Sequence, residues 1–78
     1  MVSEQDITHW LQDGFVGAHV CVTGDGRHFE ALVVSDEFSG VGRLARHRQV
    51  YRALGDKVGG LIHALSITAL TCAEHDSD

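Results

Sequence analysis

No apolar run in this 78-residue sequence approaches the roughly 20 residues needed to cross a bilayer. The N-terminus has neither the basic start nor the apolar stretch of a signal peptide, so a soluble protein that stays in the cytoplasm is expected. Cysteine is scarce. Cys21 and Cys72 are too few for a disulfide framework, and without a CxxC pair they indicate no self-contained zinc site. Their expected roles are a small buried hydrophobe for Cys21 and a tail residue for Cys72. An excess of positive charge is also missing: 11 Asp and Glu against 6 Lys and Arg give −5, which argues against non-specific binding to polyphosphate backbones. Catalytic patterns are absent as well. Ser35, Ser39 and Ser66 have no nucleophile-elbow context, no glycine-rich stretch matches a phosphate loop, and the acids form no acid–base pairing pattern. Gly40-Val41-Gly42 does not match the GxxG clamp of RNA-binding KH domains. These absences leave a binding module rather than an enzyme.

What is present is an ordinary globular composition, 44% hydrophobic and 22% charged. The length indicates one domain, with an acidic tail from about residue 72 expected to fray. Such a chain buries only about 60–65% of its unfolded surface, so its core is thin. Charge is unevenly placed. Arg43, Arg46, Arg48, Arg52 and Lys57 lie within 43–57 with Asp56 as the only acid, giving +4 there and −9 elsewhere. That asymmetry marks a face.

Ser3 with Asp6 resembles a capping box, and Ile7, Trp10 and Leu11 recur at helical spacing up to Gly14. His19 to Thr23 reads as a strand, Gly24-Asp25-Gly26 as a tight turn, and His28 to Ser35 as a second strand with both faces partly covered. Leu44, His47, Val50 or Tyr51, Leu54 and Val58 mark the inner stripe of a long helix, with Gly59-Gly60 as its stop and a break at Gly55. His63 to Leu70 alternates as a third strand. The order helix, strand, strand, helix, strand indicates an α+β fold, a three-stranded sheet with helices on one face and the basic helix surface outward.

His28-Phe29, Val33-Val34-Ser35, Phe38-x-Gly40, Arg46-His47-Arg48-x-Val50-Tyr51 and Ile62-His63-Ala64-Leu65-Ser66-Ile67 together resemble the BolA family over roughly positions 17 to 71. The compact Gly24-Asp25-Gly26 turn looks most like its short-loop, IbaG-type branch. The resemblance implies a class II KH-like fold and a role in iron–sulfur metabolism. Family members pair with monothiol glutaredoxins and share a [2Fe-2S] cluster, held on the other side by the partner's cysteine and a glutathione thiol; no cofactor is expected in the isolated protein. Some members act as DNA-binding transcription regulators, which makes a regulator using helix 43–57 the alternative reading. No membrane partner is implied.

The resemblance also implies that His63, matching the histidine of the family's I-H-A motif, is a cluster ligand. Spacing alone reads it as a cap on a helix end. The second ligand is open. Long-loop members supply a histidine or cysteine from the first hairpin loop, which here holds only Gly-Asp-Gly-Arg. His28 is the nearest substitute and reads equally as a surface histidine paired across the hairpin. His19 and Cys21 share a strand face, and Cys72 and His75 are more distant candidates, standing where relatives carry a T-P-x-x-W-like segment leading into a C-terminal helix. His47 reads as a half-buried, hydrogen-bonded histidine. Arg43, Arg46, Arg48 and Arg52 form the expected surface for an anionic partner, with protein or glutathione ranked ahead of DNA.

Overall fold

The computed structural model describes residues 2–60, 62 and 64–77. The chain runs α1 (Glu4–Gly14), β1 (His19–Gly24), β2 (His28–Val34), a 3-10 turn (Asp36–Phe38), α2 (Arg43–Leu54), a second 3-10 turn (Gly55–Lys57), β3 (Ala64–Leu70) and α3 (Cys72–Asp76). The expected α+β class holds.

Helix α1 starts where its capping box sits. Ser3 Oγ accepts the Asp6 N–H at 3.1 Å and the Asp6 carboxylate accepts the Ser3 N–H at 3.0 Å. Ile7 and Leu11 turn into the core. At Gly14, the last residue of the helix, α2 crosses close by. A Cβ there would lie 2.7 Å from Ala53 Cβ, so only glycine permits this approach. Lys57 Nζ lies 5.1 Å from the Trp10 ring centroid and ties the second 3-10 turn back onto α1.

The sheet order is β1-β2-β3, with β1 antiparallel to β2 and β2 parallel to β3. A parallel neighbour requires a crossover, which α2 and its flanking turns supply. Phe29, Ala31 and Val33 of β2 point to the helical side with Val22 and Ala69, meeting Phe38, Val50 and Leu54. Burying each Val, Leu or Phe among them contributes roughly 1.5–3 kcal/mol. The opposite face carries His19, Cys21, Thr23, His28, Glu30, Ser66 and Thr68 in the open. Cover on that side is confined to the end where Val34 is buried.

Four expectations are corrected. Cys21 is exposed, because its strand parity puts it on the open face. The break at Gly55 is found, since Gly55 takes φ 64° and stops α2 at Leu54, but the helix does not resume to Gly59-Gly60. Its inner stripe is Arg46, Val50, Ala53 and Leu54, whereas Leu44 and Tyr51 are 66% and 42% exposed. The segment from Cys72 forms helix α3, capped by Thr71 Oγ1 accepting the Glu74 N–H and the Glu74 carboxylate accepting the Thr71 N–H. Thr-x-x-Glu is the signature that marks such a start.

Candidate functional site

The hairpin between β1 and β2 turns on Asp25. Its carboxylate accepts the N–H groups of His28 at 2.8 Å and Arg27 at 2.9 Å, and these two bonds hold it below the usual carboxylate range. Gly26 supplies the positive φ, 97°. Gly24 is needed for space, because a Cβ there would meet His28 O at 2.5 Å. The result is a fixed frame for His28, whose Nδ1 faces Asp25 Oδ2 at 3.9 Å. At that separation the carboxylate makes no hydrogen bond to the exposed ring, so what it fixes is the His28 backbone. Asp25 was not singled out for this role from sequence, although Asp at the start of a glycine turn is the available signal.

Register carries this histidine to the third strand. His28 pairs with Ala64 and Glu30 with Ser66, and these residues with Thr23, Gly24 and Asp25 line an open recess of about 290 Å³. His63, the principal candidate, lies outside the described residues; its neighbours Ile62, fully buried, and Ala64 are described.

The other proposed companions sit elsewhere. Cys21 pairs with Leu32, four residues along β2 from His28 and thus about 13 Å away, and His19 pairs with Val34, farther still. Cys72 and His75 follow the far end of β3, about 20 Å from Ala64. No side chain spans those intervals to share a metal with His28. The rings of His19 and His75 instead face each other with centroids 5.9 Å apart. The Asp36 carboxylate, acting through a hydrogen bond with the Cys72 thiol, pushes that thiol's pKa up, which opposes metal binding. Among the described residues, no group of three or more His, Cys, Asp or Glu side chains is arranged to hold a metal ion.

The four arginines divide. Arg46 faces inward: Nε donates to Val41 O at 2.7 Å, Nη1 to Ala69 O at 3.0 Å, and Nη1 and Nη2 to the Glu74 carboxylate at 2.6 and 3.3 Å. Its side chain is 13% exposed and its guanidinium lies over the Phe38 ring. It was expected with the outward group, but the helix phase turns it toward the carbonyls of the 41 loop and β3. Arg43, Arg48 and Arg52 remain exposed. His47 is half-buried, as expected, though it makes no hydrogen bond among those described. Arg43, Arg46 and His47 flank a groove of about 480 Å³ between the start of α2 and the end of β3.

Sequence and fold relatives agree with one another. A bolA protein homologue from Coxiella burnetii superposes with a TM-score of 0.88 at 43% identity, covering 97% of this chain and 99% of that chain. BolA-like protein 1 of Homo sapiens is 45% identical over 58 residues, 74% of this chain and 42% of that protein. The DNA-binding transcriptional regulator BolA of Vibrio cholerae is 41% identical over 56 residues, 72% of this chain and 53% of its own length. The matched stretch spans about half of these curated relatives or less. The family model described as BolA-like protein matches residues 3–74, and the chain belongs to that family.

Proposed function

We propose that this chain is an adaptor in iron–sulfur cluster trafficking and iron homeostasis that pairs with a monothiol glutaredoxin. The cluster is shared cargo, to which His63 and His28 contribute imidazole while the partner and glutathione contribute thiolates. The supporting observation is the pairing of His28 with Ala64, the residue that directly follows His63 in the chain. His28 is exposed and its backbone N–H is held by the Asp25 carboxylate, which leaves the imidazole open to a shared ligand. Imidazole in place of thiolate raises a cluster's potential and makes its ligation sensitive to acid, properties that favour release.

Mixing the protein with cluster-loaded monothiol glutaredoxin should alter the visible absorption and circular dichroism of the cluster. His63→Ala should abolish the change and His28→Ala should diminish it, with far-ultraviolet spectra of both variants matching wild type. A His63→Ala protein that gives the wild-type spectral change would remove the ligand assignment. The rival reading, a DNA-binding regulator, draws support from the description of the Vibrio cholerae relative. It requires duplex binding at low salt that weakens steeply as salt rises. With Arg46 engaged internally and a net charge of −5, the basic helix offers a phosphate backbone less than its composition suggests.

A further inference from the structure

Helix α2 presents two large apolar side chains, Leu44 and Tyr51, to solvent. Leu44 is 66% and Tyr51 42% exposed, and among the described residues the one other large exposed hydrophobe is Val16, in the loop after α1. Positions 44, 48, 51 and 52 stand at i, i+4, i+7 and i+8, so Leu44, Arg48, Tyr51 and Arg52 form a single stripe on the side turned away from Val50 and Leu54. The two apolar groups are about 10 Å apart along the axis, with a guanidinium between them and another at the end.

This arrangement selects among occupants. A phosphate backbone would pair with Arg48 and Arg52 and leave Leu44 unused, and the negative charge of the remaining chain would oppose it. A folded protein uses both components: an apolar recess receives the leucine and tyrosine, and carboxylates around it pair with the arginines. Tyrosine and arginine are the side chains on which interface energy concentrates. The short footprint fits a transient encounter better than a permanent assembly. We infer that the outer stripe of α2, anchored by Leu44 and Tyr51 and rimmed by Arg48 and Arg52, is the docking surface for a protein that offers an acid-rimmed apolar recess.

The inference rests on the reading of this chain as a glutaredoxin partner and adds a surface distinct from the His28 edge. It is tested by titrating monothiol glutaredoxin, apo and cluster-loaded, into wild type and into the Leu44→Ala, Tyr51→Ala and Val16→Ser variants by calorimetry. Tyr51→Ala and Leu44→Ala should each weaken binding of both glutaredoxin forms by about tenfold, and Val16→Ser by less than about twofold. Thermal midpoints should stay near wild type, because all three side chains are exposed. If wild type binds and both α2 variants bind within twofold of it, the docking surface is overturned while the functional reading stands. If wild type binds neither glutaredoxin form, the functional reading and this occupant fall together. A DNA duplex bound by wild type and lost on Arg48→Glu with Arg52→Glu, but indifferent to Leu44→Ala and Tyr51→Ala, would likewise overturn the protein occupant.

Discussion

Arg46 joins three pieces of chain with one side chain, the 41 loop, the end of β3 and α3. Removing it leaves the part-buried Val41 and Ala69 carbonyls without this donor. Arg46→Ala should lower the free energy of unfolding by about 1–3 kcal/mol, read from urea denaturation. Arg46→Lys should recover only part, since an ammonium lacks the planar fork that meets a carboxylate with two bonds. Curves that superimpose on wild type would show that these bonds add nothing to the fold. The partner residue gives a pH signature. The Arg46 guanidinium, helped by the Thr71 N–H, lowers the Glu74 pKa from an ordinary 4.5 to about 2. A carboxyl depressed in the folded state takes up protons on unfolding in acid. Its contribution is therefore complete above pH 4.5 and disappears as pH falls toward 2. Across that window the melting temperature of wild type should fall more steeply than that of Glu74→Gln. Equal slopes would remove Glu74 from the acid response.

The local elements differ in how tightly their residues fix them. The first hairpin depends on Gly24, where a Cβ would meet both the His28 carbonyl and the Phe29 ring. Gly24→Ala should destabilise the protein by about 1–3 kcal/mol and disturb the frame of His28, seen as shifted His28 and Asp25 resonances together with a lower denaturation midpoint. Helix α3 has few tertiary anchors besides Arg46, and Thr71 supplies its N-cap. Thr71→Ala should cost about 1 kcal/mol locally and speed amide exchange within Cys72–Asp76, leaving the β2 amides protected. Unchanged exchange would mean that the cap is dispensable. The phase of α2 was the element least readable from sequence. Leu44, His47, Tyr51 and Leu54 make as regular a stripe as Arg46, Val50, Ala53 and Leu54. Spacing alone admits either Val50 or Tyr51; Val50 is the buried one, in a phase that brings Arg46 to two backbone carbonyls and Ala53 against Gly14.

At the scale of the whole molecule, a radius of gyration of 11.8 Å is close to the about 11.5 Å expected for a chain of this length. No helix among the described residues is long and apolar enough to cross a membrane. Positive charge concentrates on the outer side of one helix while the rest is acidic, so the molecule is electrically polar. Such a field accelerates encounter with an acidic surface and is screened over about 8–10 Å at ordinary salt. The association rate with the proposed glutaredoxin partner should fall as salt rises, and Arg48→Glu with Arg52→Glu should slow it while changing dissociation less. Stopped-flow mixing at two ionic strengths checks this. A rate independent of salt would assign those arginines no steering role.

Sequence alone determined the α1 capping box, the hairpin and its glycines, the three strands and the family resemblance, because each rests on contacts between residues close in the chain or on a motif read in order. The His19–Cys21 face was readable for the same reason, since strand parity is local. Tertiary structure decided which stripe of α2 is buried, that Arg46 belongs to the interior and that Cys21 is open to solvent. It also set Cys21 four residues along the sheet from His28, and His19, Cys72 and His75 at the sheet's far end. Those outcomes depend on which strand lies beside which and on where unpaired carbonyls need a donor, and neither is a property of any one segment. Register placed His28 beside Ala64.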